Sequence, residues 1–162
     1  MAANVRFINP NTLAPQSGYS YVVDTSGPGR TVYIAGQLGL DLENKLVGAP
    51  GDFRAQATKA IENLKAALAS VGAELSDVVK ITNYLTDISS QIGIYREIRD
   101  QFFPMPRPAS TAVGISELAR PGALFEIEAI AVLPAAKAAP AKTRAPSRSA
   151  KAKAKAGRRK RK

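Results

Sequence analysis

The chain has 162 residues and a formal net charge of +10, and it contains neither cysteine nor histidine. That length is enough for one domain with a substantial core. The missing residue types exclude disulfides, thiolate nucleophiles, Ser-His-Asp triads and ordinary zinc sites. Twelve of the 23 Lys and Arg residues lie from Lys137 onward with no acidic residue among them, so the first 136 residues carry a formal charge of −2. We therefore expect a slightly acidic folded domain, residues 1–134, followed by a strongly basic tail, residues 135–162.

The first part of the chain has the patterns of β structure. A short edge strand is predicted near Val5–Ile8, in a region otherwise rich in turn residues. Tyr19–Asp24 and Thr31–Ala35 are predicted to pair as a hairpin, because a Ser-Gly-Pro-Gly turn separates them. Gly36 follows at once, and a residue without a Cβ permits the close approach of a ligand or of a second strand.

The middle of the chain alternates helix and strand patterns. Asp52 is predicted to cap a helix that ends at about Val71, because apolar residues between them recur at spacings of three and four. A strand, Val78–Leu85, follows, with Val79 assigned to its apolar face. A second helix is predicted at about Ser89–Phe103, ended by three nearby prolines. The apolar stripes of both helices are interpreted as core.

Two further strands, Pro108–Ile115 and Leu124–Leu133, complete the pattern. In the second, Glu126 and Glu128 share one face and alternate with apolar residues on the other. Carboxylates two positions apart on one strand face lie roughly 7 Å apart. If that face is covered, each raises the cost of ionising the other, and one becomes a usable acid or base near neutral pH. A solvated sheet face is the alternative interpretation.

The order of these elements predicts an α+β fold with two layers, in which two helices cover one face of a mixed sheet. The opposite face of the sheet still holds apolar side chains such as Ile130 and Val132. A sheet face of this kind is expected to be buried against a partner, so we predict an oligomer.

The basic tail is low in apolar residues and carries unopposed charge, which predicts disorder. Lys137–Lys162 is expected to bind DNA or RNA without sequence preference, by releasing counterions, or to act only as a solubilising tail. The N-terminus lacks a signal pattern, and no apolar run approaches the roughly 20 residues of a membrane span. We expect a cytoplasmic protein with no membrane contact, associated with the nucleoid if the tail binds DNA.

Five blocks of sequence, within roughly residues 4–133, together resemble the Rid (YjgF/L-PSP) family. The blocks are Gly36-Gln37, the helix Gln56–Gly72 with Asn63-Leu64, Asp77-Val78-Val79-Lys80, Arg107-Pro108-Ala109-Ser110-Thr111, and the run EIEAIAV that starts at Glu126. The resemblance implies a chorismate-mutase-like fold that forms a homotrimer through the sheet face opposite its helices, with small-molecule sites between subunits. It also implies hydrolysis of reactive enamine or imine metabolites to keto acids and ammonia, without a cofactor.

The resemblance also implies which residues form the site. The glutamate that handles water matches Glu126, the tyrosine that lines the pocket matches Tyr19, and the turn glycine matches Gly36. The family's arginine, which holds the substrate carboxylate, has no match, because Ser110 stands at its position. A serine hydroxyl offers one neutral hydrogen bond in place of a bidentate guanidinium pair. The chain is therefore similar to a subgroup that lacks this arginine.

Several alternatives stay open. Arg96, Arg99 or Arg107 can approach the pocket from another direction, or each can be a surface arginine. The protein can be an imine hydrolase, a metabolite-binding or stress-protective module without turnover, or a nucleic-acid-associated protein that uses its tail. Some members of the family carry the name endoribonuclease, but RNA cleavage without histidine would need Glu, Lys or Arg for proton transfer, so we rank it below imine chemistry.

Overall fold

The computed structural model describes residues 4–14 and 18–135. These residues form strands and α-helices whose bounds are β1 Asn4–Ile8, β2 Val22–Ser26, β3 Gly29–Leu38, α1 Phe53–Ala69, β4 Val78–Leu85, α2 Ile88–Phe102, β5 Ala109–Gly114 and β6 Phe125–Pro134. A short 3-10 turn, Leu75–Asp77, leads into β4. Neither α-helix in the described ranges has the length and apolar character needed to cross a membrane.

The main sheet has four strands in the order β3-β6-β4-β5. β6 is antiparallel to both of its neighbours, β3 and β4, whereas β4 and β5 run parallel because α2 crosses between them. α1 packs against β3 and β6, and α2 packs against α1 and β4. The predicted α+β fold, with two helices on one face of a mixed sheet, is confirmed.

Local signals place both helices close to their predicted bounds. The carboxylate of Asp52 accepts a hydrogen bond from the backbone N–H of Ala55 at 2.9 Å, which satisfies a donor at the start of α1. Gly72 follows the helix with φ +73°, a left-handed conformation that favours glycine and ends the chain's helical path. The predicted stripe of α1 lies in the core, where its most buried members are Ala57, Ile61, Leu64 and Leu68.

The predicted hairpin between Tyr19–Asp24 and Thr31–Ala35 is wrong. β2 pairs instead with β1, in a separate two-stranded sheet, and β3 pairs along its length with β6. Burial decides the choice, since one face of β3, with Val32 and Ile34, packs against the core. A turn sequence stabilises only the local chain, and its contribution is smaller than the free energy gained from the apolar area that β3 buries beside β6.

The assignment of Val79 to the buried face of β4 is also wrong. The register of β4 against β6 shifts between Val78 and Lys80, and the extra residue changes which side chains face the helices. Val78 is buried, Val79 is only partly buried, and the buried positions then continue with Ile81, Asn83 and Leu85. A bulge of this kind leaves no mark in the apolar pattern.

The alternation predicted for β6 is confirmed. Phe125 and every second residue after it, to Leu133, are buried beneath the helices, and Glu126 and Glu128 lie on the other face. We call that other side of the four-stranded sheet the open face. It also carries Tyr33, which is 78% exposed and lies opposite Ile130 in the register. The predicted basic tail lies outside the described residues apart from Ala135.

Candidate functional site

The carboxylate of Glu126 lies against the backbone of Gly36. β3 has an irregular register opposite this point, between Ile34 and Gln37, so Gly36 stands in a bulge. A Cβ added to Gly36 would overlap Oε1 of Glu126 and would lie 2.6 Å from its Cδ. The carboxylate therefore occupies the space that a side chain at position 36 would take, and these two predicted site residues are in contact.

The surroundings of Glu126 make its carboxyl harder to ionise. Partial burial raises its pKa above the ordinary value, and the negative charge of Glu128 raises the pKa further. A carboxyl with a raised pKa is a stronger base once it is ionised, and it exchanges protons at a pH closer to neutrality. The effect that the spacing of the two glutamates predicts is present at Glu126.

Polar side chains of β4 and β5 surround this carboxylate pair on the open face. Tyr84, opposite Glu126 in the register, donates a hydrogen bond from its hydroxyl to Oε1 of Glu128 at 3.3 Å. The Nζ of Lys80 donates to Oγ1 of Thr111 at 3.1 Å, and burial lowers the pKa of Lys80 although Glu128 opposes this. The open face thus combines carboxylates, a phenol and an amine, which is a set suited to proton transfer.

Ser110 lies on the opposite face of the sheet. It is paired with Ile81, a core residue, and its Oγ accepts a hydrogen bond from Nδ2 of Asn83 at 3.2 Å. The Tyr95 hydroxyl, from α2, donates to Oδ1 of Asn83 at 2.6 Å. Burial raises the pKa of Tyr95, so this hydroxyl stays protonated and acts as a donor. Ser110 thus belongs to a network beneath α2.

Tyr19 lies at the outer edge of β5. The next residue, Ser20, forms a parallel bridge with Ala109, and its Oγ donates to the carbonyl of Arg107 at 2.7 Å. The ring of Tyr19 packs edge to face on Tyr21, with 5.5 Å between the ring centres. Backbone contacts with the start of β5 therefore fix the position of Tyr19 beside the strand that carries Ser110.

Within one chain, the four predicted site residues form two separate groups. Glu126 and Gly36 meet on the open face, where β3 and β6 pair. Ser110 lies on β5 and Tyr19 lies beside that strand, which is separated from β6 by β4. Glu126 and Ser110 also face opposite sides of the sheet. A single chain does not bring the four residues together.

The sequence interpretation missed the polar network of Asn83 and Tyr95. Its signal was available, because Asn83 stands between Ile81 and Leu85 at a position where an alternating strand places a core side chain. A polar residue at such a position needs buried hydrogen-bond partners. Arg99 was also not assigned to the interior, although its side chain is only 7% exposed.

A surface cavity of about 610 Å³ lies at the connection between β5 and β6, lined by Thr86 and residues 116–124. None of the four predicted site residues lines it. Across residues 4–14 and 18–135, no group of three or more acidic side chains is placed to hold a metal ion.

Comparison with known proteins assigns the family. The model described as Endoribonuclease L-PSP matches residues 9–133. The chain belongs to this Rid (YjgF/L-PSP) family. The resemblance that the sequence blocks indicated is therefore confirmed, and it covers most of the part that folds around the two helices.

Relatives of this Rid chain include proteins named for imine chemistry. A 2-iminobutanoate/2-iminopropanoate deaminase of Dermatophagoides farinae is 37% identical over 124 residues, which span 75% of this chain and 91% of the relative. A RutC family protein of Pyrococcus abyssi is 39% identical over 133 residues, 81% of this chain and 98% of the relative. At the level of the family, the comparisons support an imine deaminase type of function.

Solved Rid structures share the fold. A Rid family protein of unknown function from Yersinia pestis has a TM-score of 0.72 at 34% identity and covers 79% of this chain and 98% of its own. RidA from the Antarctic bacterium Psychrobacter sp. has a TM-score of 0.59 at 38% identity and covers 73% and 90%. The fold predicted from the resemblance is confirmed by these neighbours.

Proposed function

We propose that this Rid protein is a cofactor-independent hydrolase of small enamine or imine metabolites. The observation that carries the proposal is the carboxylate of Glu126, which fills the space left by Gly36 and has a raised pKa. Relatives named 2-iminobutanoate/2-iminopropanoate deaminase support the substrate class. Metabolite binding without turnover is the alternative that the assay below separates.

The proposed reaction needs one group that accepts a proton and returns it. Ionised Glu126 takes a proton from water as the water oxygen bonds to the carbon of the protonated imine, which gives a neutral carbinolamine. The same proton then passes to the amine nitrogen, and the C–N bond breaks as the carbinolamine hydroxyl becomes the carbonyl and gives its proton to the ionised Glu126, so that ammonia and a keto acid leave. The raised pKa suits both steps, because the carboxyl gains and loses the proton near working pH.

We further propose that the site is completed between copies in a homotrimer. Glu126 with Gly36 and Tyr19 with Ser110 are apart in one chain, so a partner is required to combine them. The open face offers a surface for that partner, since Tyr33 is highly exposed beside the partly buried Ile130. In a cyclic trimer each copy presents the same face around the symmetry axis, where the apolar side chains of the three copies bury one another.

The test of the chemistry is the hydrolysis of 2-iminobutanoate, generated in situ by an amino-acid oxidase and followed as 2-oxobutanoate. Glu126→Gln keeps the size of the side chain but removes the base, and we expect a loss of turnover of roughly 10² to 10⁴. Glu62→Gln, an exposed change on α1, is the matched control. Equal rates for Glu126→Gln and the control would move the chemistry to other residues, and no turnover by the parent would leave a binding module.

The test of assembly is the mass in solution. Light scattering of the protein truncated after Pro134 should give three times the monomer mass. A monomer would remove the proposed trimer, and with it a site that is shared between copies.

A further inference from the structure

Arg99 and Arg107 bring their guanidinium groups together at the edge of the sheet where Tyr19 and Ser110 lie. We propose that this arginine pair is the subsite for the substrate carboxylate, in the role of the arginine that the chain lacks at position 110. The inference rests on the proposed function and narrows its substrates to imines that carry a carboxylate.

The side chains of the arginine pair are buried more deeply than charged side chains usually are. The side chains of Arg99 and Arg107 are 7% and 15% exposed. Nε and Nη2 of Arg99 lie 2.9 and 2.7 Å from Oδ1 of Asp100, and Nη2 of Arg107 lies 3.1 Å from the same oxygen. Two cations thus share one carboxylate, which is itself 46% exposed, so the cluster has a net charge of +1. An anion would compensate this charge.

The pair also has donors to offer. Nε of Arg107 donates to the carbonyl of Phe103 at 3.0 Å. Nη1 of Arg99 and Nη1 of Arg107 take no part in these bonds to Asp100 and Phe103. Guanidinium N–H groups bind carboxylates with geometric specificity, often through two parallel bonds. The arginine pair can therefore hold a substrate carboxylate while Asp100 keeps both side chains in place.

The two guanidinium groups meet beneath Gly18, the residue before Tyr19. A Cβ at Gly18 would overlap Nη2 of Arg99 and would lie 3.0 Å from Nη1 of Arg107. The φ of Gly18 is +77°, a left-handed conformation that favours glycine. The absence of a side chain at position 18 thus lets the arginine pair reach the segment that carries the predicted substrate-binding tyrosine.

Arg99 is connected to the position of the missing arginine as well. Its Cζ lies 5.9 Å from the centre of the Tyr95 ring, a distance at which a guanidinium and an aromatic ring attract each other. Tyr95 bonds to Asn83, and Asn83 bonds to Ser110. Arg99 therefore supplies, from α2, a guanidinium to the network in which Ser110 stands on β5.

The test measures binding of 2-oxobutanoate, the keto acid formed from 2-iminobutanoate, to the full-length protein by titration calorimetry at 150 mM salt. We expect Arg99→Gln and Arg107→Gln each to raise the Kd about 10- to 100-fold, because a charge-assisted bidentate contact is lost. Arg96→Gln is the matched control, since it makes the same change at an exposed position of α2. The basic tail is present in every variant and cancels from the comparison.

A rescue experiment separates a binding role from a structural one. In Arg99→Gln combined with Ser110→Arg, the guanidinium comes from β5, and we expect the Kd to return towards the parent value. Thermal melting identifies any variant that does not fold, and Arg107→Gln carries the test if Arg99→Gln fails. Equal Kd values in all three single variants, no rescue in the double variant, or no binding by the parent would overturn the proposal.

The same titration distinguishes this proposal from the hydrolase itself. Glu126→Gln should bind 2-oxobutanoate as the parent does while it loses turnover. If Glu126→Gln loses turnover and the arginine variants bind normally, the proposed hydrolase is supported and the proposed arginine subsite is refuted. If the arginine variants lose binding and Glu126→Gln keeps full turnover, the reverse holds.

Discussion

Replacing Gly36 with alanine tests whether the position of the Glu126 carboxylate matters for turnover. The new Cβ would lie 2.6 Å from Cδ of Glu126, and ordinary van der Waals contact begins at 3.4 Å. The carboxylate must therefore move by at least about 0.8 Å, since its end is flexible and the strand backbone is not. A misplacement of about 1 Å at a reacting group can reduce the rate about 100-fold. We expect a loss of turnover of this order with the fold retained.

The assay for Gly36→Ala is the hydrolysis of 2-iminobutanoate, with the melting temperature measured in parallel. Gly93→Ala is the matched control, because a Cβ at Gly93 meets no atom within 4 Å and the residue lies inside α2. This control should gain up to about 1 kcal/mol of stability and keep its rate. The double variant of Gly36→Ala and Glu126→Gln should lose little beyond Glu126→Gln alone. Full turnover by a folded Gly36→Ala protein would refute the assignment of Glu126.

Three other changes test the electrostatics, the buried network and the tail. Glu128→Gln should move the acidic limb of the pH profile of kcat/KM to lower pH, because the negative charge that helps raise the pKa of Glu126 is removed and its base form appears at a lower pH. A limb that does not move would assign the titration to another group. Asn83→Ala should lower the free energy of unfolding in urea by about 1–3 kcal/mol, since the buried Tyr95 hydroxyl loses its acceptor. The loss should be smaller when Tyr95 is already phenylalanine, and additive losses would argue against the hydrogen bond. Truncation after Pro134 should abolish salt-sensitive binding to DNA or RNA, measured by fluorescence anisotropy, and equal binding by the truncated protein would assign it to the folded part.

The helices were predictable because their signals are local. Asp52 and Gly72 mark the two ends of α1, and the apolar spacing between them needs no information from the rest of the chain. Strand pairing was less predictable, because the partner of β3 is a strand about 100 residues away and no local signal in the sequence reports that pairing. The bulge that removes Val79 from the buried face of β4 is likewise set by the register in which β4 pairs with β6.

The candidate site likewise has some features that the sequence predicted and others that it did not. The alternation of β6 predicted that Glu126 and Glu128 share a face, and the resemblance pointed to Gly36. The separation of Ser110 from Glu126 could not be read from the sequence, since it depends on how β5 registers beside β4. Arg99 had an unused signal: it stands four residues after Tyr95, and such residues share one side of a helix. A stripe with a buried tyrosine therefore carries a buried arginine too.

Because Glu126 and Arg99 belong to different groups within one chain, damaged subunits should complement each other. In a trimer whose sites lie between neighbours, a copy that lacks the arginine still donates its glutamate, and a copy that lacks the glutamate still donates its arginine. Random mixing of equal amounts of Arg99→Gln and Glu126→Gln subunits would leave about one site in four with both groups intact. At substrate concentrations too low to saturate the Arg99→Gln site, two preparations of low activity, unfolded and refolded together, would thus yield a more active protein.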